Sequence, residues 1–243
     1  AKALGARPHV AVGIRHPAAL EAVRACLPSF PETRVHELPD IYPAGDEVLV
    51  VYACLGKVTP PGRKPCDVGA CVFNVETVYN AYRALQSGEP VLEKYVTLAG
   101  AFARPVTLRV PLGTPFSALA QAAGGMEEGA ALLAGGPLSG DLAAPSDVVT
   151  KTTNAVLALP KAHPIVRRRQ TRVPAQFLRA RAACCQCGMC TALCPRRLLG
   201  YPLKPHAFLR AAGHGRTNQP EAYVQALYCS RCGLCEAFAC GQG

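Results

Sequence analysis

Two short cysteine runs near the end of the chain constrain its fold more than any other feature of the sequence. In each run, three cysteines are separated by two residues, and in the first run a fourth follows after three more residues and directly precedes Pro195. This spacing is the one by which cysteine thiolates hold [4Fe–4S] clusters in bacterial ferredoxins. The residues concerned are Cys184, Cys187, Cys190, Cys194, Cys229, Cys232, Cys235 and Cys240.

In two-cluster ferredoxins, the fourth cysteine of one run binds the cluster of the other run. This crossing predicts one cluster on Cys184, Cys187, Cys190 and Cys240, and a second on Cys229, Cys232, Cys235 and Cys194. Cys240 is the weakest match, because four residues separate it from Cys235 and Gly241 stands where a ferredoxin has proline.

Structural zinc and a disulfide framework are the alternatives. Four-cysteine zinc sites usually consist of two separated C-x-x-C pairs and need no third cysteine in a run. Disulfide frameworks suit short secreted domains, and this chain has no basic start followed by an apolar signal segment. Cys185 is expected to pack, or to lie near a cluster sulfur. The cysteines without ligand spacing are expected to be small buried side chains, and they are Cys26, Cys54, Cys66 and Cys71.

Composition indicates a globular protein. The chain has 243 residues, of which 50 % are hydrophobic, and this length suits two or three small domains. No apolar stretch approaches the length that spans a bilayer, so no transmembrane segment is expected and the protein is predicted to be soluble. The formal net charge is +10, and two oxidised clusters of about −2 each would lower it to about +6.

A basic run precedes the first cysteine run. Its residues are Arg167, Arg168, Arg169, Arg172, Arg179 and Arg181. Three roles remain open for it: offsetting cluster charge, docking an acidic redox partner, or solvating a surface segment. Nucleic acid is not expected as a partner, because aromatic residues make up only 6 % of the chain and none alternate with these arginines as stacking residues.

The first part of the chain is expected to alternate strand and helix. An apolar run at 9–14 predicts a strand, and helical spacing of apolar residues follows behind Pro17. Unbroken apolar stretches stand at 48–52 and 67–73, and a helical pattern returns at 76–85. Together they indicate an α/β layer.

The next part changes to short strands and tight turns, in "YVTLAG", "VTLRVPLG" and "ALLAGG", which indicates a small α+β module. One helix interrupts them, with Thr114 as its expected N-cap, Pro115 as its first residue and Gly124-Gly125 as its end. Neither G-x-G-x-x-G nor a P-loop occurs in the chain.

With these regions described, the chain resembles the flavin and iron–sulfur proteins related to RnfC, a component of Rnf electron-transport complexes. Within that family, "CCQCGMCTALCPRRLLGYPLKPH" and "CSRCGLCEAFAC" are most similar to PduS-type cobalamin reductases. "LPDIYPAGDEVLVVYACLGKVTPPGRKPCDVGACVFNVETVYN" is similar to the flavin half-site shared with the NADH-oxidising subunit of respiratory complex I. "GTPFSALAQAAGG" and "GGPLSG" resemble the SLBB domain, which has a β-grasp-like fold.

The resemblance implies an α/β plus α+β fold class with three domains. These are a partial Rossmann-like FMN- and NADH-binding domain at 1–93, a β-grasp-like SLBB module at 94–162, and a helical ferredoxin-type domain with two [4Fe–4S] clusters at 163–243. It also implies that the flavin or nicotinamide is faced by Tyr42, Gly45, Asp46 and Glu47.

The same resemblance implies that Asn74 and Thr77, in the N-V-E-T stretch, hydrogen-bond the polar chain of the flavin. From the sequence alone, the two residues fit equally well as caps of the helix that follows.

The implied function is that of an NADH-dependent oxidoreductase with FMN and two [4Fe–4S] clusters. The implied electron acceptor is a corrinoid or a corrinoid adenosyltransferase, with a redox protein as a further partner. The implied location is the cytoplasm or the lumen of a propanediol-utilisation microcompartment. The alternatives are the electron-input subunit of an Rnf-like membrane complex, and a non-catalytic relay that binds clusters but neither flavin nor NADH.

Relatives in this family carry a glycine-rich phosphate-binding loop ahead of the segment where this chain begins, and they continue beyond Cys240. The chain also lacks an initiator methionine. We therefore expect a fragment that supplies half of the flavin pocket without its main anion site.

Overall fold

The computed structural model describes residues 1 and 5–240. The strands are β1 His9–Gly13, β2 Arg34–Leu38, β3 Glu93–Gly100, β4 Val106–Pro111, β5 Ala131–Ala134, β6 Asp141–Ala143 and β7 Ala155–Leu159. The α-helices are α1 Pro17–Cys26, α2 Glu47–Leu55, α3 Val75–Ser87, α4 Phe116–Ala122, α5 Pro164–Gln170, α6 Val173–Ala183, α7 Met189–Ala192, α8 Pro195–Leu198, α9 Pro205–Gly213 and α10 Pro220–Val224. Short 3₁₀ turns occur at Leu27–Ser29, Pro65–Val68 and Gln225–Tyr228, and a π-helical turn occurs at Cys235–Ala239.

Residue contacts divide the chain into two compact units. The first comprises Ala1–Phe73, Cys194–Leu203 and Tyr228–Ser230. The second comprises Asn74–Leu193, Lys204–Leu227 and Arg231–Gly243.

The first unit contains a parallel β-α-β arrangement. His9 of β1 pairs with Arg34 of β2, and α1 forms the crossover that parallel strands require. Pro17 occupies the first turn of α1, where its missing N–H costs nothing. The predicted strand at 9–14 and the helix behind Pro17 are confirmed, whereas β2 had no sequence signal that we identified.

The apolar run at 48–52 is helical and does not add a strand to the α/β layer. The carboxylate of Asp46 accepts a hydrogen bond from the Val48 N–H at 3.1 Å and caps α2. Gly56 ends the helix in the left-handed conformation, with φ of 65°. These two end signals outweigh the strand preference of the valines. The stretch at 67–73 is a turn followed by irregular chain, so it too adds no strand to the α/β layer.

The second unit contains a five-stranded sheet in the order β4-β3-β7-β5-β6. β3 and β7 run parallel, and the other neighbouring pairs run antiparallel. α4 supplies Phe116 and Leu119 to the core of this sheet, where they pack with Val96, Leu98 and Val156. The predicted α+β character is confirmed, although α4 begins one residue later than expected, with Pro115 as its N-cap.

α3 also belongs to the second unit. Its Glu76 carboxylate accepts the Tyr95 N–H at 3.0 Å and forms an ion pair with the buried Lys94, so α3 is attached to β3. Farther along, α6 packs on α9, which also contacts α7 and α10. Within the described residues, none of the helices has the length and apolar character that crossing a lipid bilayer requires.

Candidate metal and flavin sites

The first cysteine run begins at the end of α6. The Cys184 N–H donates to the Ala180 carbonyl at 3.0 Å and closes the last turn of that helix. The chain then turns through Gln186 and Gly188, both in the left-handed conformation with φ of 59° and 75°. α7 follows at once and carries Cys190. This local fold curls the run into a loop.

The second run has left-handed residues at the same two positions. Arg231 and Gly233 stand where Gln186 and Gly188 stand in the first run, and their φ values are 56° and 79°. Gln186 and Arg231 are the described non-glycine residues with positive φ. A left-handed backbone costs such a residue roughly 1–2 kcal/mol. Its occurrence at the same place in both runs indicates two loops built for one purpose.

A π-helical turn accounts for the irregular spacing before Cys240. In the first run, Cys190 lies in the α-helical turn α7, whereas the corresponding Cys235 opens the π-helical turn. A π-turn closes its hydrogen bonds over one more residue than an α-turn, so it absorbs the extra residue between Cys235 and Cys240. α7 and the π-turn pack against each other. Gly241 lies outside the described residues.

Three cysteines of the first run interact electrostatically. Burial raises the pKa of the Cys190 thiol, and the nearby Cys184 and Cys187 raise it further, partly opposed by hydrogen bonds from its own backbone and Thr191. The Gln186 side-chain amide donates to the Cys184 sulfur at 3.0 Å. Clustered thiolates with an N–H donor suit an iron–sulfur cluster, since hydrogen bonds to the sulfurs help to set its potential.

The cysteines predicted for the second cluster are divided between the units. Cys194 is buried in the first unit beside Val48 and Tyr201, and Cys229 also belongs to that unit. Cys232 and Cys235 belong to the second unit and are half-buried. Their grouping into one ligand set rests on sequence spacing. Among the described residues, no three histidine, cysteine or acidic side chains are arranged to hold a single metal ion.

The other cysteines differ from the expectation. Cys26, Cys66 and Cys71 are exposed, so the prediction that they are buried is wrong. Cys54 is half-buried, and burial raises the pKa of its thiol. Cys185 is exposed beside the first loop. Isolated cysteines carry no positional pattern, so their burial depends on contacts that are distant in sequence.

The residues expected to face flavin in the first unit lie together at the start of α2. Tyr42 and Glu47 are exposed, and a Cβ placed on Gly45 would meet no described atom within 4 Å. This open approach fits a planar ring. The Asp46 carboxylate is already engaged, because it caps α2 and accepts hydrogen bonds from Arg196.

Asn74 and Thr77 belong to the second unit. The Asn74 side-chain oxygen Oδ1 accepts the Glu76 N–H at 2.9 Å, which makes Asn74 the N-cap of α3. Thr77 is exposed in the first turn of that helix. In the structure, Asn74 therefore caps the helix that follows it, which is the alternative that the sequence left open.

Sequence reasoning missed Arg196 and Tyr201. Nη2 of Arg196 lies 3.1 Å and 3.0 Å from the two Asp46 carboxylate oxygens, and its guanidinium carbon lies 5.4 Å from the centre of the Tyr201 ring. The Tyr201 hydroxyl donates to the Thr59 carbonyl at 2.6 Å. The position of Arg196 directly after Cys194-Pro195 was visible, but its partner, 150 residues away, was not.

Two family comparisons match this organisation. Residues 1–83 match the Nuo51 FMN-binding domain, and residues 183–243 match a 4Fe-4S dicluster domain. The class is therefore that of proteins built from an FMN-binding domain and an iron–sulfur dicluster domain.

Comparison with curated relatives narrows this class. The chain is 41 % identical over 225 residues to cobalamin reductase PduS of Citrobacter freundii and 42 % identical over 225 residues to that of Salmonella typhimurium. Each match covers 91 % of this chain and 50 % of the relative, so the chain spans about half the length of these relatives. It is also 33 % identical over 208 residues to the C-type component of the ion-translocating oxidoreductase complex of Rhodobacter capsulatus, covering 84 % of this chain and 38 % of that component. Over most of its length the chain is therefore similar to PduS-type cobalamin reductases and RnfC-type proteins, the relatives that the sequence resemblance named.

Solved structures agree at the level of the fold. The NAD⁺-reducing [NiFe]-hydrogenase in the H₂-reduced state matches with a TM-score of 0.59 at 17 % identity, over 96 % of this chain and 46 % of the hydrogenase chain. The same hydrogenase in the air-oxidised state gives a TM-score of 0.56 at 17 % identity, over 96 % of this chain and 47 % of the other.

Proposed function

We propose that this chain is the electron-transferring part of an NADH-dependent flavin and iron–sulfur oxidoreductase that reduces cobalamin. The observation that carries the proposal is the matched conformation of the two cysteine loops, each with the same pair of left-handed residues. α7 and the π-turn, which follow the loops, also pack on each other. The PduS relatives support cobalamin as the acceptor.

Eight cysteines are assigned to two [4Fe–4S] clusters. The first ligand set is Cys184, Cys187, Cys190 and Cys240, and the second is Cys229, Cys232, Cys235 and Cys194. When bound, FMN takes up a hydride from NADH and the clusters carry single electrons. The Gln186 amide stabilises negative charge on the Cys184 sulfur, which raises the potential of the first cluster.

Three functional parts follow from this assignment. Residues 1–93 contribute to FMN and NADH binding through Tyr42, Gly45 and Glu47, and the cluster domain is 163–243. The five-stranded sheet with α4 supports an SLBB module with a β-grasp-like fold at 94–162. The acceptor is a corrinoid, free or held by a corrinoid adenosyltransferase, and the location is the cytoplasm or the lumen of a microcompartment.

A cluster-bearing relay that binds neither flavin nor NADH is the second candidate. Asp46 and Asn74 favour it, because their polar oxygens are already used within the fold. An Rnf-like electron-input role is favoured by the relative from Rhodobacter capsulatus.

An anaerobic absorption titration separates these candidates. The chain is reconstituted with iron, sulfide and FMN, and two clusters require about eight iron and eight labile sulfide per chain. NADH is added first and dithionite second. Bleaching of flavin and cluster absorption by NADH, followed by reduction of added cob(III)alamin, is the expected result. Bleaching by dithionite alone favours the relay, and NADH bleaching without cobalamin reduction favours the Rnf-like role. Zinc without iron overturns the cluster assignment.

A further inference from the structure

The charge of the chain is unevenly distributed. Residues 148–220 contain no aspartate or glutamate, yet they hold 13 of the chain's 26 lysines and arginines. This segment includes the first cysteine run. A surface region of one charge sign raises the local concentration of partners with the opposite sign and speeds their encounter.

Five of these arginines are exposed on three helices of the second unit: α5, α6, which leads into the first cysteine loop, and α9, which packs on the Cys190-bearing α7. Arg167 lies on α5, Arg172 is the N-cap of α6, Arg179 and Arg181 lie on α6, and Arg210 lies on α9. We call these five residues the basic surface. None of the five takes part in an ion pair with another described residue. The helices that carry them hold no carboxylate to neutralise them.

The packing of α6 directs part of this surface outward. A Cβ placed on Gly213 of α9 would lie 3.6 Å from the Phe177 carbonyl oxygen and 3.8 Å from the Arg181 Cβ, so the side of α6 that carries Phe177 and Arg181 faces α9. Arg179 lies on the opposite side of the helix, and Leu178, about a quarter turn from Phe177, is 57 % exposed. The helix ends at Cys184, the first predicted ligand.

The first cysteine loop is itself accessible. Cys187 is exposed, and Met189, between Cys187 and Cys190, is 55 % exposed. Small apolar contacts surrounded by charge are typical of transient redox complexes, which bury little area and depend on electrostatic steering. The basic surface, with Leu178 and Met189, has this composition.

We propose that the basic surface docks an acidic one-electron redox protein at the first cysteine loop. This inference rests on the proposed function, because it needs an iron–sulfur cluster on that loop. One electron passes between that cluster and the partner's redox centre, so one is oxidised as the other is reduced, and no bond forms or breaks. A protein partner is favoured over a membrane, because α6 is short and its two exposed large apolar side chains, Val173 and Leu178, give it little apolar area to enter lipid.

Binding of two small redox proteins of opposite charge tests this proposal. The reconstituted chain is mixed with an acidic [2Fe–2S] ferredoxin or with basic cytochrome c, and affinity is measured at low and high salt. We expect ferredoxin binding to weaken by about tenfold or more between about 20 mM and 300 mM salt, since screening weakens exposed charge pairs. Cytochrome c is expected not to bind in either condition.

The double variant Arg172→Glu/Arg179→Glu should lose ferredoxin binding by a similar factor. The matched control is Arg104→Glu/Lys151→Glu, which changes net charge equally at exposed positions outside the basic surface. Retained binding in the control supports docking at this surface. Equal loss in both variants, absence of a salt effect, or binding of anionic phosphatidylserine vesicles in place of ferredoxin overturns the proposal.

Iron content is measured on the same samples, as is electron transfer to oxidised ferredoxin from the chain after its reduction with one equivalent of dithionite. Salt-dependent ferredoxin binding by a chain with intact clusters supports the docking surface. If NADH does not reduce the same chain, only the proposed function fails. Intact clusters and NADH reduction without ferredoxin binding are a failure of the docking proposal alone.

Discussion

Arg196 holds the carboxylate of Asp46 within the first unit, with its Nη2 at 3.1 Å and 3.0 Å from the two carboxylate oxygens. The side chains are 16 % and 14 % exposed, so the ion pair is largely shielded from solvent. Asp46 caps α2 in the segment that resembles a flavin half-site, and Arg196 follows Cys194 by two residues. The ion pair therefore fixes a predicted cluster ligand to the start of α2.

Replacing Arg196 should destabilise this unit. In Arg196→Gln, the Asp46 carboxylate stays in a shielded site without its cation, and breaking such a pair costs about 3 kcal/mol. Urea unfolding followed by circular dichroism measures the change. The neighbouring Arg197 is exposed, and Arg197→Gln should cost less than about 1 kcal/mol.

The double variant Asp46→Asn/Arg196→Gln checks the cause of this loss. Because the double variant leaves no unpaired charge, it should lose less free energy of unfolding than Asp46→Asn and Arg196→Gln lose together. Additive costs would contradict a direct interaction between the two side chains.

Gly188 and Gly233 occupy the same position in the two cysteine loops, but their surroundings differ. A Cβ on Gly188 would meet no described atom within 4 Å, whereas a Cβ on Gly233 would lie 2.6 Å from the Leu138 carbonyl oxygen. Gly188→Ala should therefore lower the free energy of unfolding by about 1 kcal/mol, the cost of holding alanine in the left-handed conformation. In Gly233→Ala, the added Cβ must also push away the backbone at Leu138.

Iron analysis and electron paramagnetic resonance of the reduced, reconstituted proteins distinguish these two variants. We expect Gly188→Ala to retain both cluster signals, and Gly233→Ala to lose the second cluster and about half of its iron, as one of two [4Fe–4S] centres. Equal loss in the two variants would show that the left-handed conformation alone decides cluster binding.

Local signals explain which parts of this fold were predictable. Pro17 and the apolar spacing behind it located α1, and the cysteine spacing located both loops, because each signal lies within a few residues. The apolar run at 48–52 is too short for periodicity to distinguish a strand from a helix. The run is helical because Asp46 caps the start of α2 and Gly56 ends it.

Long-range pairs explain what the sequence did not reveal. The Arg196–Asp46 ion pair joins residues 150 positions apart, and no local sequence pattern predicts it. The left-handed backbone at Gln186 and Arg231 was hidden as well, since neither residue type favours that conformation. The π-turn before Cys240 was likewise not predicted, although the extra residue between Cys235 and Cys240 is the sequence feature that corresponds to it.

Breaking the shielded ion pair between Glu76 and Lys94 on one side should strongly destabilise the second unit. Their side chains are 15 % and 7 % exposed, and Glu76 also accepts the Tyr95 N–H. Lys94→Met leaves a shielded carboxylate without its cation and should cost about 3–5 kcal/mol. The double variant Glu76→Leu/Lys94→Met should recover part of this loss in urea unfolding. A double variant as unstable as the single one would contradict the explanation by unpaired charge.

His9 should make the first unit sensitive to acid. Its Nδ1 lies 2.8 Å from Nε2 of His36, and the two rings stack with centroids 5.0 Å apart. The pKa of His9 is lowered from its ordinary 6.5, mainly by burial and further by His36, Arg34 and Arg7. The unfolded chain therefore binds a proton here more readily than the folded chain does, so stability rises as the pH rises from the lowered pKa to 6.5.

Thermal unfolding between about pH 5 and pH 8 measures this dependence, since histidine is the side chain that ordinarily titrates there. The wild-type melting temperature should fall as the pH drops below 6.5, while His9→Gln should flatten that part of the profile. His16, which lies outside the stacked pair and is exposed, provides the matched control, and His16→Gln should leave the slope unchanged. A slope that persists in His9→Gln would assign the acid sensitivity to another group, because the replaced side chain no longer binds a proton in either state.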